Sequence, residues 1–116
     1  AGLRTADQSG VKRALARSRL DRLAEIPARL LSAGQRRRLA LARIEATPAP
    51  LWLLDEPTVA LDVTAVAALE GAIAEHCGGG GIAVVSSHVD LGLERTGALE
   101  LGDFAVDPDA AWGLAL

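Results

Sequence analysis

Two adjacent carboxylates, Asp55 and Glu56, follow the apolar run Leu51–Leu54 and precede a proline. A short continuous apolar run is typical of a strand buried on both faces of a parallel sheet, and ligands of such sheets bind at the carboxyl ends of the strands. Mg²⁺ prefers carboxylate oxygen, and a second carboxylate can polarise a water that attacks a phosphate. The pattern predicts that Asp55 holds the metal and Glu56 is the base, although two solvated side chains at a strand end are the alternative.

A turn of small residues, Ser32-Ala33-Gly34-Gln35, precedes a segment with helical spacing. Small side chains let the backbone approach a ligand, and the free N–H groups and positive dipole end of a helix N-terminus stabilise a phosphate. An ordinary N-cap beside the arginines that follow is the alternative. Together with the carboxylates, the turn predicts half of a nucleotide triphosphate site. The other half, a glycine-rich P-loop with its lysine, matches none of the 116 residues.

Asp62 and His88 are further candidates because each lies just beyond one of the predicted strands. Asp62 ends the loop Ala60-Leu61-Asp62 before a predicted helix, so it should cap that helix, and the loop would also lie beside the metal-carrying strand end. His88 follows Ser86 and Ser87. An imidazole at the same sheet edge can hydrogen-bond a γ-phosphate or a water, although a polar residue where the strand leaves the sheet is the simpler interpretation.

Helices and strands alternate along the chain as expected for an α/β domain. Apolar spacing predicts two short buried strands joined by a helix, which implies a right-handed parallel crossover. The predicted helices are Val11–Leu23, Leu31–Ile44 and Val63–His76, the parallel strands are Leu51–Leu54 and Ile82–Ser86 after the turn Gly78–Gly81, and Ala98–Leu101 and Phe104–Val106 are predicted as antiparallel strands.

The same spacing indicates which side chains face inward. The predicted inward positions are Ala14, Leu15, Leu20 and Leu23 in the first helix and Leu39, Ala40, Ala42 and Ile44 in the second. The sequence also favours packing roles for Trp52, His76 and Trp112, and for Cys77 as a small apolar residue at a helix end.

Composition excludes several classes of protein. A formal net charge of −3 argues against bulk binding of nucleic acid, and a single cysteine cannot form an internal disulfide. No uncharged apolar run reaches the roughly 18–20 residues of a membrane helix, and the first residues lack the apolar region of a signal peptide. Because no methionine is present, the sequence predicts a piece of a longer protein.

In order and spacing, these motifs resemble the C-terminal half of an ABC-transporter nucleotide-binding domain, over about Leu20–Leu101. Leu31–Gln35 resembles the LSGGQ signature with Ala33 in place of its first glycine, and Leu51–Glu56 resembles Walker B. Ala60–Asp62 is similar to the D-loop and His88 to the switch histidine. In detail, the segments look most like ATP-binding subunits of haem exporters for cytochrome c biogenesis.

The resemblance implies an incomplete P-loop NTPase domain of α/β class, with parallel core strands and flanking helices. Residues 1–46 would be the end of a helical subdomain with the signature, and residues 47–116 the distal part of the core subdomain. The implied cofactors are ATP and Mg²⁺. In a head-to-tail dimer with a second ATP-binding subunit, Ser32, Ala33, Gly34 and Gln35 would contact the partner's ATP, whereas Asp55, Glu56 and His88 would serve the ATP of their own subunit, with Asp62 in the D-loop.

The family further implies membrane-spanning permease subunits as partners, no nucleic acid, and a peripheral place on the cytoplasmic face of the inner membrane. Departures from the family are Ser18 and Arg19, where an apolar residue and a glycine are expected, and Glu45 in a normally apolar helix end. The alternatives are an ATPase subunit of another ABC transporter and a non-catalytic remnant. Without a P-loop, the isolated chain is expected to be inactive.

Overall fold

Three α-helices and two β-strands form the part of the chain that the computed structural model describes, residues 7–94 and 96–108. Helix α1 is Gln8–Arg17, α2 is Ala33–Ala46 and α3 is Val63–Gly78; strand β1 is Leu51–Asp55 and β2 is Ile82–Ser86. No helix within these residues is long and apolar enough to cross a membrane. Trp112 lies outside the described residues.

The two strands form a parallel sheet, and α3 connects them, as the strand–helix–strand pattern predicts. The register pairs Leu51 with Ile82 and Asp55 with Ser86. The turn between α3 and β2 contains Gly80, whose φ of 93° is a conformation that residues with a side chain rarely adopt. The chain is therefore a small α/β unit in which both strands end at the same sheet edge.

One face of the sheet carries the core. Its buried side chains come from β1 and α3 and are Trp52, Leu54, Leu69, Ala72 and Ile73. The indole of Trp52 stacks on the ring of His76, with centroids 4.0 Å apart and planes 6° from parallel. Both of these aromatic residues thus have the packing role that the sequence favours.

The opposite face of the sheet is not covered by the described residues, so the structure shows burial on only one of the two predicted faces. Leu53 is 70% exposed and Val84 is 57% exposed, and Leu51 and Ile82 are exposed beside them. Successive side chains of a strand point to opposite faces, and the helices pack on the face that carries Trp52. A continuous apolar run cannot show which of its two faces a helix covers.

Helix α1 begins earlier and ends earlier than the predicted Val11–Leu23. It begins after Asp7, whose carboxylate accepts a hydrogen bond from the N–H of Gly10 at 2.5 Å. It ends because Arg19 adopts a φ of 55°. The N–H groups of Arg19 and Leu20 then bond the carbonyls of Ala16 and Leu15, at 3.1 and 2.8 Å, which is a Schellman termination.

Arg19 therefore occupies the position where helices favour glycine and where the family resemblance expects one. Replacing Arg19 by glycine is expected to raise the free energy of unfolding by about 0.5–1 kcal/mol, because glycine has no Cβ to strain at positive φ and only part of the gain is offset by its freer unfolded chain. Urea unfolding measures the change. Arg13→Gly is the control. Arg13 is exposed and lies in the middle of α1, where glycine should lower the free energy of unfolding by about 1 kcal/mol because of its low helix propensity. A loss of stability in Arg19→Gly would contradict the prediction.

Three smaller predictions are also wrong. Ala40 of α2 is exposed, because that helix turns inward Ala42, which is buried, and Leu41 and Ile44, which pack against the core of the sheet. Cys77 is exposed near the end of α3. Residues 101–104 form a 3₁₀ turn where the sequence predicts antiparallel strands; Phe104 is 65% exposed, so no burial stabilises a strand ladder there.

Glu45, which departs from an apolar pattern, is paired with Arg17. The guanidinium of Arg17 lies 3.4 Å from the Glu45 carboxylate and also contacts Glu75, so it joins α1 to α2 and α3. Burial raises the pKa of the Glu45 carboxyl, and the hydrogen bond from Arg17 lowers the pKa of the exposed Glu75 carboxyl. A half-buried acid is tolerated here because a cation faces it.

Candidate functional site

The predicted carboxylates and histidine meet where β1 and β2 end. Because the register places Asp55 opposite Ser86, the serine hydroxyl donates to Asp55 Oδ1 at 2.5 Å. His88 Nε2 lies 3.2 Å from Glu56 Oε1. The side chain of His88 is 95% exposed, so this contact adds little to stability. What the contact does is place an imidazole beside the Glu56 carboxylate, where the two strands end.

Glu56 itself has an unusual backbone. Its φ is 45°, and its N–H donates to the carbonyl of Ser86 at 2.9 Å. Pro57, which follows, is fully buried. A non-glycine residue in this region costs on the order of 1–3 kcal/mol and persists only where the surroundings fix it. Strain of this kind concentrates at functional sites, which supports a role for Glu56 beyond that of a solvated strand end.

Arg37 of α2 is a site residue that sequence reasoning missed. Its Nη2 donates to the carbonyl of Glu56 at 2.6 Å and lies 3.5 Å from the carbonyl of Asp55. Arg36 is exposed, whereas Arg37 and Arg38 are partly buried. Three consecutive arginines give no signal for which of them turns inward, since that depends on how α2 lies against β1.

The small-residue turn forms the N-terminus of α2. Ser32 Oγ accepts from the N–H of Gln35 at 3.2 Å, and Gln35 Oε1 accepts from the N–H of Ser32 at 2.8 Å, which is a capping box. The predicted cap is therefore confirmed. The Ser32 hydroxyl accepts a hydrogen bond in the cap and still has its own proton to donate. Because Ser32 and Ala33 are also exposed, an anion from another molecule can reach this helix end and accept that hydrogen bond.

The turn also lies beside the loop that carries Asp62. Gly34 lies against the backbone of Ala60, since a Cβ at position 34 would be 3.7 Å from the Ala60 carbonyl oxygen. Ala60 itself has a positive φ of 63°. Asp62 Oδ1 accepts from the N–H of Ala65 at 2.7 Å and caps α3, so the predicted capping role is confirmed. A contact between this loop and a nucleotide stays a prediction.

The residues at the sheet edge suit Mg²⁺ if phosphates and waters complete its shell. Among residues 7–94 and 96–108, no group of three or more His, Cys, Asp and Glu side chains could by itself hold a metal ion. Mg²⁺ characteristically takes one or two carboxylates, keeps several waters and binds substrate phosphates. The exposed Asp55 carboxylate, oriented by Ser86, provides one such ligand, so the donor set matches a nucleotide-linked magnesium rather than a closed protein cage.

Comparison with known proteins finds a family and relatives for this chain. A family model described as ABC transporter matches residues 3–59. The cytochrome c biogenesis ATP-binding export protein CcmA of Rhodospirillum rubrum is 53% identical over 116 residues, which is 100% of this chain and 50% of that protein. The protein of the same name from Paramagnetospirillum magneticum is 52% identical over 96 residues, 83% of this chain and 44% of its own length.

A relative named CcmA 2, from Cupriavidus metallidurans, is 51% identical over 102 residues, which is 88% of this chain and 48% of that protein. The chain thus spans about half the length of the curated relatives it matches. The matches extend beyond the family model to the segment that carries Asp62 and His88, since the R. rubrum match covers the whole chain. The chain belongs to the ABC transporter family of ATP-binding proteins.

Proposed function

We propose that this chain is the half of a transporter ATP-binding subunit that carries the signature and the Walker B motif. ATP hydrolysis by that subunit would drive an export step of cytochrome c biogenesis. The observation that carries the proposal is the cluster at the sheet edge, where Glu56 and His88 lie 3.2 Å apart beside Asp55. The names of the relatives, which combine ATP binding with export, support the coupling to transport.

In the proposed reaction each residue has a separate task. Mg²⁺ bound through Asp55 would neutralise charge on the ATP phosphates. Glu56 accepts a hydrogen bond from the attacking water and so polarises it. His88, held against Glu56, can donate to the γ-phosphate or fix the same water. These tasks are positioning and electrostatic stabilisation, which supply almost all catalysis of phosphoryl transfer.

The N-terminus of α2 would act on a different nucleotide. Ser32, Ala33, Gly34 and Gln35 would contact ATP held by the P-loop of a second ATP-binding subunit in a head-to-tail dimer, with the Asp62 loop beside them. Two observations support this contact with the partner's ATP: Ser32 and Ala33 are exposed, and helix N-termini bind phosphate. On this proposal residues 1–46 belong to a helical subdomain and residues 47–116 to the core of an incomplete P-loop NTPase fold.

The proposal extends to partners and place. The subunit would dock on membrane-spanning permease subunits at the cytoplasmic face of the inner membrane, and haem, the group that cytochrome c carries, would be the exported species. The 116 residues alone should give no turnover, since none of them forms a P-loop. Tests of catalysis therefore use an ATP-binding subunit that contains these residues together with a P-loop.

The proposal is tested by replacing His88 with alanine in that subunit. ATP turnover should fall by roughly 10²- to 10³-fold, because an oriented hydrogen-bond donor in the transition state is lost, while the Kd for ATP changes little. The other histidine is the control: His76→Ala should lower the melting temperature by removing the stack on Trp52 and leave turnover per folded molecule unchanged. Equal turnover in wild type and His88→Ala would contradict the proposed role.

A further inference from the structure

The peptide groups on both sides of the Glu56 Cα are held by hydrogen bonds. On the amino side, the N–H lies 2.9 Å from the carbonyl and 3.3 Å from the hydroxyl of Ser86. On the carboxyl side, the carbonyl accepts from Arg37 Nη2 at 2.6 Å and from the N–H of Val59 at 3.3 Å. Since the φ of Glu56 is 45°, these bonds hold a conformation that the residue does not favour alone.

Arg37 is the charged member of this set, and it comes from another element. It lies in the second turn of α2, the helix that begins at the exposed Ser32 cap. Its Nη2 also lies within 3.5 Å of the carbonyl of Asp55, and its Nε is buried without a partner among the described residues. The guanidinium is thus turned toward the backbone at the end of β1, and its salt-bridge capacity is not used for a carboxylate there.

We propose that Arg37 is a positioning residue for Glu56: it holds the carbonyl of Glu56 so that the carboxylate is directed to His88 and to the attacking water. This inference rests on the proposed role of Glu56 in ATP hydrolysis. Arg37 touches neither the carboxylate nor the nucleotide site directly, so it acts through the backbone. Arg37 belongs to α2, the helix whose first turn would face the second nucleotide. A shift of α2 would therefore also move the Glu56 carboxylate, because Arg37 bonds the carbonyl of Glu56.

The test measures ATP turnover by the complete subunit as a function of ATP concentration. Arg37→Met keeps the aliphatic stem and removes the donors. Its kcat should fall by roughly 10- to 100-fold, as misplacement of a catalytic group by about 1 Å does, with the KM for ATP within about twofold of wild type. Arg37→Lys retains one cationic donor and should recover part of the kcat. Arg43→Gln, which removes an exposed charge from the same helix, should leave kcat and KM unchanged.

A double variant separates positioning from a general loss of structure. If Arg37 acts through Glu56, adding Arg37→Met to Glu56→Gln should lower kcat no further. An additive loss, or a wild-type kcat in Arg37→Met, would overturn the inference. If Arg37→Met does not fold, Arg37→Lys decides: a kcat reduced at least twofold with unchanged KM supports positioning, and a wild-type kcat rejects it. Wild-type turnover in Glu56→Gln would instead refute the proposed role of Glu56 in ATP hydrolysis, on which the inference rests, so the two failures are distinguishable.

Discussion

Glu56→Gln should reduce ATP hydrolysis by about 10²- to 10⁴-fold, the usual contribution of a general base, while ATP stays bound. The amide fills the same space and keeps the backbone bonds to Ser86 and Arg37, but it has no negative charge and cannot take a proton from the attacking water. With ATP retained at both interfaces, the closed dimer should accumulate. Single-turnover hydrolysis and size-exclusion chromatography in Mg-ATP measure the two effects.

The control for Glu56→Gln is another neutralised glutamate. Glu100→Gln removes the same charge from an exposed position before the 3₁₀ turn at Leu101–Phe104, and it should leave turnover and dimer fraction unchanged. Turnover within a few-fold of wild type in Glu56→Gln would show that another group activates the water. Loss of ATP binding in the same variant would show that the carboxylate is needed to hold the nucleotide, which the proposed division of roles does not allow.

Ser32→Arg should weaken closure of the dimer at least tenfold and leave the ATP affinity of a monomer nearly intact. The cause is that the exposed N-terminus of α2 would face the nucleotide of the partner, where a bulky side chain blocks the approach of the helix end to the phosphates. The measurement compares the ATP Kd with the dimer fraction at one ATP concentration. Loss of monomer binding would place Ser32 at the nucleotide of its own subunit and contradict the assignment.

The loss of the helix cap has to be separated from the blocked contact. Ser32 closes a capping box with Gln35, and removing such a cap costs about 1 kcal/mol of stability. Ser32→Asp keeps a capping oxygen and places a negative charge where a phosphate would bind. It should therefore also weaken dimer closure while retaining a wild-type melting temperature. Normal closure in Ser32→Asp would attribute the effect of the arginine to size alone and remove the support for an anion at this helix end.

The meeting of Glu56 and His88 could be predicted from the sequence because it depends on topology alone. Two short apolar runs joined by a helix must lie parallel, so the polar residues that follow each run emerge at one edge. The caps at Ser32 and Asp62 were predictable for a similar reason: each depends on residues within one helical turn. Local and topological rules thus account for most of the candidate site.

What could not be predicted depends on how the elements pack. The inward turn of Arg37 follows from the placement of α2 against the end of β1, which no residue of the arginine run specifies. The burial of Leu51–Leu54 on one side depends on which face of the sheet receives a helix. A continuous apolar run does not distinguish a strand covered on one face from a strand covered on both. The positive φ of Arg19 opposes the residue's own preference; only the closing hydrogen bonds of α1 reveal it.

The strand register has a consequence for how the molecule tolerates mutation. Because side chains alternate across the sheet, a slip of one residue would move Trp52 and Leu54 out of the core and carry Asp55 away from Ser86. The burial that holds the indole inside therefore also sets the alignment of the carboxylates. Substitutions of Trp52 or Leu54 that let the register slip can consequently reduce turnover through misalignment before they unfold the protein, so a screen for activity would find sensitive positions on the core side of β1.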